Sequence, residues 1–165
     1  MLKKLTDYLD SNSVKYIVTT HSPAYTATEV ADSTHVPRND VAKTVMLEMD
    51  GKLCMSVLPS SYMVDFKLLR RELSAGDVEL ASEGDFKAAF PDCDVGAMPP
   101  FGNLFGITVV VDKTLAGNHD ILFNAGNHRE TVRMAYPDFE RLVKPRVCSF
   151  GVRRNIRGDE FDVPS

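Results

Sequence analysis

The strongest conformational signal in this sequence is the dipeptide Asp50-Gly51, which lies between two apolar segments. The segment from Ala42 to Met49 precedes it, and the segment from Lys52 to Leu58 follows it. An Asp-Gly pair suits the tight turn of a β-hairpin, because the central residues of that turn need positive φ. Any fold for this chain must therefore accommodate an antiparallel strand pair.

Helical and strand-like patterns alternate through the rest of the chain. Hydrophobic spacing and capping residues predict helices around Leu2, Leu5 and Leu9, from Thr26 to about Thr34 with Glu29 in a capping box, from Asp65 to near Gly76, from Ser82 to Phe90 and from Pro137 to Val143. Short β-rich runs predict strands at Val14 to Thr19, Val78 to Ala81, Ile107 to Val111, Ile121 to Asn124 and Thr131 to Ala135. This mixture predicts an α+β domain, with a mixed, curved or barrel-like β-sheet and helices packed around it.

Length and composition indicate one domain. The chain has 165 residues, of which 44% are hydrophobic and 25% charged, and this is enough to form a core. We expect residues 1–150 to form the domain and residues 151–165, which are charged and poor in apolar side chains, to form a flexible tail. The sequence contains neither an apolar run long enough to cross a membrane nor the apolar core of a secretory signal. We therefore expect a cytoplasmic protein with no membrane partner.

Several common catalytic and ligand-binding signatures are missing from the sequence. It contains no Gly-x-Ser-x-Gly elbow, no phosphate-binding loop and no Gly-x-Gly-x-x-Gly motif. The cysteines lie far apart, and the four histidines (His21, His35, His119 and His128) show no metal-ligand spacing, so we predict neither a metal nor a cofactor. The net charge of −4 argues against broad nucleic-acid binding, although a local basic patch could still grip one short nucleic-acid end.

The segment from Val95 to Gly102, with the sequence Val-Gly-Ala-Met-Pro-Pro-Phe-Gly, predicts a stiff loop. Gly96 can adopt positive φ, and the two prolines each fix their own φ and restrict the residue before them. One interpretation is a tight connection between two elements. The other is a rigid loop that holds a ligand with its main chain, because the cost of ordering it has already been met.

Lys43 is the second candidate, because it stands at the start of the apolar run Thr44-Val45-Met46-Leu47. Such a lysine could simply extend its ammonium group to water at the end of a strand. It could also hold that charge at the mouth of a pocket, where it would bind a carbonyl or phosphate oxygen.

Three motifs together resemble the YbaK/prolyl-tRNA editing-domain family. They are Ala42-Lys43-Thr44 before a hydrophobic strand, Gly96-x-x-x-Pro100 followed by Phe101-Gly102, and Asn124-Ala125-Gly126. Each motif is weak alone, but they occur in the family's order, and the resemblance spans roughly Leu2 to Pro145. It implies an aminoacyl-tRNA deacylase that hydrolyses the ester between a wrong amino acid and the tRNA 3′-terminal adenosine, without a metal or a covalent intermediate.

The resemblance also implies roles for individual residues. Lys43 matches the lysine that anchors the polar end of the substrate, and Gly96 and Pro100 match the loop whose backbone positions the ester and the attacking water. Ala125 and Gly126 match a small-residue turn that lines the same pocket.

Two further residues are carried over more weakly: Tyr25 and His21 fall in the stretch that borders the amino-acid side chain. No histidine is placed as an obvious general base, and the family's proposed solution is help from the substrate's own ribose hydroxyl.

Three functions follow as hypotheses. The first is a free-standing trans-editing deacylase for a mischarged tRNA carrying alanine or another small amino acid. The second is a non-catalytic module that binds aminoacyl ends or a related small ligand, and the third is hydrolysis of a small ester or amide unrelated to tRNA. Basic residues could touch the acceptor stem or form an ordinary solvated surface: Lys67, Arg70, Arg71, Lys144 and Arg146. A partner synthetase or elongation factor could supply further affinity for tRNA.

Overall fold

The computed structural model describes residues 1–153, which form six α-helices, ten β-strands and two short 3-10 helices. The helices are α1 (Lys3–Ser11), α2 (Ala27–Thr34), α3 (Phe66–Leu73), α4 (Glu83–Lys87), α5 (Lys113–Ala116) and α6 (Tyr136–Val143). The strands are β1 (Tyr16–Thr20), β2 (Ala42–Met49), β3 (Lys52–Pro59), β4 (Tyr62–Val64), β5 (Val78–Leu80), β6 (Thr108–Asp112), β7 (Asp120–Asn124), β8 (Glu130–Ala135), β9 (Arg146–Cys148) and β10 (Gly151–Arg153). The 3-10 helices are Arg38–Asp40 and Gly102–Phe105.

The strands of the described chain form three open sheets. The largest has the order β5-β2-β3-β6-β9, in which β2 and β3 form the predicted antiparallel hairpin and β6 runs parallel to both β3 and β9. A three-stranded antiparallel sheet has the order β1-β8-β7, and β4 pairs with β10. A parallel bridge between Val41 and Leu122 joins the first two sheets at the start of β2. The predicted α+β class, with helices around mixed sheets, is confirmed.

The main core forms around Phe101, which directly follows the two prolines of the stiff loop. Its ring is fully buried and lies 5.5 Å from the ring of Phe123 and 5.4 Å from that of Phe139, measured between centroids. The next residue, Gly102, has no room for a side chain, because a Cβ there would lie 2.7 Å from the Ile107 carbonyl oxygen and from the Val109 side chain. The C-terminal end of the loop is therefore anchored in the core.

The chain after α6 is held by Asp112, a buried carboxylate at the end of β6. One of its oxygens accepts the backbone N–H groups of Phe150 and Gly151, at 2.9 and 2.6 Å, and the other accepts the backbone N–H of Thr114. The first three residues of the predicted tail consequently form β10. The rest of that predicted tail, residues 154–165, lies outside the described residues.

The differences from the predicted elements concern short segments. The helix predicted from Ser82 to Phe90 ends at Lys87, and β4, β9, β10 and α5 were not predicted. Elements of three or four residues contain fewer than two repeats of a hydrophobic pattern, so their sequences carry little periodic signal. No helix within residues 1–153 is long and apolar enough to span a membrane.

Candidate functional site

A cavity of about 170 Å³ lies where α2, β2, β7 and the proline-containing loop meet. Its wall is mixed, with apolar contributions from Ala27, Val30, Val41, Ala42 and Met98. The remaining lining residues are Tyr25, Lys43, Thr44, Gly96 and Asn124. Three residues predicted for the site (Tyr25, Lys43 and Gly96) thus come together from separate segments of the chain.

Lys43 lies at the second position of β2, opposite Leu58 of β3, and is half-buried. Strand alternation places it on the same face as Val45 and Leu47, which pack in a second hydrophobic cluster, so Lys43 stands at the border between that cluster and the cavity. The neighbouring Thr44 hydroxyl donates a hydrogen bond to the Met98 carbonyl oxygen at 3.4 Å and joins β2 to the loop.

Gly96 has the positive φ expected of it, at +85°, and its backbone is exposed beside the cavity. A Cβ at this position would lie 3.6 Å from the His128 ring, an ordinary contact, so conformation rather than space favours glycine here. Pro100, in contrast, is buried and does not line the cavity. Its position in the loop leads the chain from the cavity into the core at Phe101.

Ala125 and Gly126 lie behind the loop and do not line the cavity. Gly126 holds the loop directly: its carbonyl oxygen accepts the Asp94 N–H at 2.8 Å, and its N–H donates to the Ala97 carbonyl oxygen at 3.0 Å. Ala125 is fully buried, and its carbonyl oxygen accepts the Leu2 N–H. Gly126 therefore supports the loop that borders the cavity, whereas Ala125 joins the turn to Leu2.

Tyr25 and His128 form an aromatic pair at the rim of the cavity. Their ring centroids are 4.6 Å apart, with an angle of 42° between the planes. The His128 Nε2–H donates to the Val95 carbonyl oxygen at 2.9 Å, which fixes the histidine to the loop. Because a carbonyl oxygen only accepts, the neutral ring carries its proton on Nε2 and leaves Nδ1 as an acceptor.

His21 does not line the cavity, and its backbone N–H donates to the Arg129 carbonyl oxygen at 2.8 Å. Its Nδ1 pairs with the Ser22 carbonyl oxygen at 2.6 Å, which holds the ring against its own loop. Three buried side-chain atoms without a hydrogen-bond partner within residues 1–153 belong to this region of the molecule: His21 Nε2, Asn124 Oδ1 and His128 Nδ1. Unpaired buried polar atoms are rare in folded proteins.

The entrance of α2 adds further backbone groups beside the cavity. The Thr26 hydroxyl accepts the N–H of Glu29 at 3.1 Å, which is one of the two bonds of the predicted capping box. Ala27, the first residue of α2, is itself part of the cavity wall. The loop from Ala24 to Thr26 is therefore held in place where it passes the cavity.

Cys93 lies behind the loop, close to Gly126. Burial raises the pKa of its thiol to about 11, and the charges of Asp92 and Asp94 add to the effect. The thiol is therefore protonated near neutral pH and is a poor nucleophile.

Sequence analysis assigned no separate role to His128, Met98, Thr44 or Asn124. Asn124 belongs to the third motif. Its position at the end of β7, next to the predicted turn, was the one signal that could have indicated a place in the site. His128 was visible only as a histidine near that turn, because the contacts with Tyr25 and Val95 connect distant segments. The predicted basic patch (Lys67, Arg70, Arg71, Lys144 and Arg146) does not line the cavity. Within residues 1–153 no group of three or more His, Cys, Asp or Glu side chains is arranged to hold a metal ion.

Comparisons with known proteins point to one family. A family model described as an aminoacyl-tRNA editing domain matches residues 21–142. A curated relative, prolyl-tRNA editing protein ProX of Acetoanaerobium sticklandii, is 28% identical over 148 residues. The match covers 86% of this chain and 90% of the relative. The fold resembles the crystal structure of hypothetical protein APE2540, with a TM-score of 0.82, 17% identity and coverage of 91% of this chain and 100% of that one. It also resembles a candidate trans-editing enzyme for prolyl tRNA synthetase, with a TM-score of 0.76, 17% identity and coverage of 91% and 96%.

Proposed function

The chain belongs to the aminoacyl-tRNA editing domain family, and we propose that it is a trans-editing deacylase that hydrolyses the ester of a mischarged aminoacyl-tRNA. The observation that supports this most directly is the convergence of Lys43, Gly96 and Tyr25 on one small cavity. The aminoacyl group would enter this cavity, and the tRNA 3′ end would remain at its rim.

The size of the cavity favours alanine or another small amino acid as the group removed. A volume of about 170 Å³ suits a short side chain, which Ala27, Val30 and Met98 could contact with apolar groups. Rejecting a larger amino acid by steric exclusion is easy, whereas a synthetase gains only about 1–3 kcal/mol per methylene when it rejects a smaller one. An editing pocket of this size would therefore remove the amino acids that a synthetase discriminates poorly.

In the proposed reaction, the backbone near Gly96 positions the ester carbonyl and the attacking water. Lys43 would anchor the polar end of the substrate from the border of the cavity. Water adds to the carbonyl carbon, the bond from that carbon to the ribose oxygen breaks, and the proton of the water passes to the ribose oxygen. Positioning and stabilisation of the developing oxyanion can supply much of the catalysis, because an ester is already activated.

The cavity lining contains no histidine, cysteine or carboxylate that could act as a general base. As the family resemblance implies, we assign proton transfer to the substrate's own ribose hydroxyl, and we propose on the same ground that the reaction needs no metal. Full activity in the presence of a chelator such as EDTA is the expected result. Loss of activity that added Mg²⁺ or Zn²⁺ restores would contradict this part of the proposal.

The same lining supports a second candidate, a non-catalytic module that captures aminoacyl ends. In either case the partner is the 3′ end of an aminoacyl-tRNA, which would place the protein in the cytoplasm. Association with a synthetase or an elongation factor would compensate for the modest tRNA affinity of an acidic chain.

The test is deacylation of a panel of mischarged tRNAs by wild type and by Lys43→Ala. We expect wild type to hydrolyse one or two esters of small amino acids and Lys43→Ala to lose about 100-fold in rate, because a positioned cationic donor is removed. Lys52→Ala, which changes an exposed lysine of β3 at the other end of the hairpin, is the matched control and should retain full activity.

The possible outcomes separate the two candidates. No hydrolysis of any ester by folded wild type, combined with binding of a stable aminoacyl-tRNA analogue, would favour the binding module. Equal rates for wild type and Lys43→Ala would remove Lys43 from the mechanism.

A further inference from the structure

The side chain of Tyr25 borders the cavity, but the proposed reaction assigns no chemical step to it. It is 65% exposed, and every other Phe or Tyr within residues 1–153 is buried or half-buried. An aromatic ring contributes most to stability when it is buried, so fold stability does not explain a ring left in solvent at this position.

The Tyr25 ring is also held in place. On one side it stacks on His128, with the centroids 4.6 Å apart, and His128 is itself bonded to the Val95 carbonyl oxygen. The backbone on either side is fixed as well, because the Ala24 N–H donates to the His128 carbonyl oxygen at 3.0 Å and Thr26 is the N-cap of α2. An exposed surface of an ordered aromatic ring is thus presented at the rim.

We propose that this exposed surface of Tyr25 stacks on the base of the terminal nucleoside of the aminoacyl-tRNA. The inference rests on the proposed function, since it assumes that the aminoacyl group occupies the cavity. The ester, the ribose and the base are covalently continuous, and a cavity of about 170 Å³ accommodates little more than the aminoacyl group. The base must then lie just outside the rim, where Tyr25 offers a π surface.

Stacking on an aromatic side chain is a common way to bind single-stranded nucleic-acid ends. It uses the face of the base and leaves the cavity to select the amino acid. It would also let the protein distinguish tRNA-linked esters from free amino-acid esters, which have no base. The pair Tyr25–His128 would serve as the platform, with Tyr25 in contact with the base and His128 as its support.

The alternative role for Tyr25 is a wall of the pocket for the amino-acid side chain, as the family resemblance implies. The two roles predict different substrate dependence. A platform for the base matters only when a base is present, whereas a pocket wall matters equally for every ester of the same amino acid.

The experiment uses two stable ligands: 3′-alanylamido-3′-deoxyadenosine, and the same alanyl amide on methyl riboside, which has no base. Dissociation constants are measured by calorimetry for wild type, Tyr25→Leu and Tyr25→Phe. Ile17→Ala is the matched control, because Ile17 is 64% exposed on β1 and does not line the cavity. All four proteins should fold normally, since each substitution affects an exposed side chain, and thermal unfolding verifies this.

We expect wild type, Tyr25→Phe and Ile17→Ala to prefer the adenosine ligand by about 5- to 100-fold. Tyr25→Leu should lose most of this preference, because its affinity for the adenosine ligand falls much more than its affinity for the ligand without a base. An undiminished preference in Tyr25→Leu, an equal loss of affinity for both ligands, or no preference in wild type would each overturn the inference. Because the test measures binding, its result is independent of the hydrolysis assay that decides the proposed function.

Discussion

Two regions of the protein each combine a glycine with a carboxylate, but in very different surroundings. One is the cavity side, formed by the loop and the turn behind it, and the other is the C-terminal side, where the chain after α6 meets β6. On the cavity side, Gly96 is exposed with φ of +85°, and the Glu130 carboxylate, next to the turn that supports the loop, is 27% exposed. On the C-terminal side, a Cβ on Gly151 would lie 2.9 Å from the Asp112 carboxyl carbon, and Asp112 is 2% exposed. The C-terminal side uses close contact and burial for stability, whereas the cavity side leaves backbone accessible to a ligand.

The largest loss of stability is expected for Asp112→Asn. This carboxylate accepts four hydrogen bonds, from the N–H groups of Phe150, Gly151 and Thr114 and from the Thr114 hydroxyl. An asparagine has one acceptor oxygen, so at least one backbone N–H would face its NH₂ group and lose its acceptor, even if the Thr114 hydroxyl turns to accept, at a cost of about 3 kcal/mol. Thermal unfolding measures the loss, and Asp120→Asn, at an exposed ion pair with Arg133, should change stability by less than about 1 kcal/mol.

Gly151→Ala tests the close contact on the same side. The added Cβ would meet three atoms of the Asp112 carboxylate at 2.9 to 3.1 Å, and that carboxylate is fixed by its hydrogen bonds. We expect a loss of about 2 kcal/mol, which corresponds to a decrease in Tm of roughly 4–8 °C. Gly117→Ala is the control, because its Cβ would lie 3.8 Å from the nearest atom. Equal Tm values for the two variants would show that Asp112 can move aside.

Gly96→Ala should separate stability from function. The substitution meets no close contact but forces an L residue to a φ of +85°, which costs about 1–2 kcal/mol. Deacylation should fall by about 10-fold or more, because the loop backbone would shift. The assay is run at a temperature at which the variant is folded, so that lost stability does not explain the decrease. Gly51→Ala, at a similar φ of +83° in the hairpin turn, controls for the conformational cost. A Gly96→Ala variant as active as Gly51→Ala would mean that the positive φ serves the fold alone.

The longer helices and strands could be predicted from the sequence, and so could the site residues that lie in the family motifs. The β2–β3 hairpin follows from Asp50-Gly51, and α1 follows from the spacing of its leucines, because both signals are local. Tyr25, Lys43 and Gly96 were brought together by the family resemblance, and the structure places them around one cavity.

Contacts between distant segments could not be predicted in this way. The bond from His128 to Val95 and the bonds from Asp112 to Phe150 and Gly151 join residues more than 30 positions apart, and no local pattern encodes them. The support that Gly126 gives to the loop, and the bond from Leu2 to Ala125, were hidden for the same reason. The small size of Ala125 and Gly126 fits a pocket wall and a tightly packed support equally well.

The smallest effect is expected at Glu130, and it depends on pH. The N-terminal amine and the Asn127 side chain both donate to this carboxylate, and these hydrogen bonds lower its pKa from the ordinary value of 4.5. A carboxylate whose pKa is lowered by folding stabilises the protein fully above its unfolded-state pKa, and this stability is lost as the pH falls through the folded-state pKa. Glu130→Gln should therefore unfold at a slightly lower temperature than wild type at pH 7, and the difference should disappear as the pH falls below the folded-state pKa of Glu130. A difference that persists unchanged at low pH would mean that Glu130 stabilises the protein through packing. The carboxylate on the cavity side would then act by close contact, as on the C-terminal side.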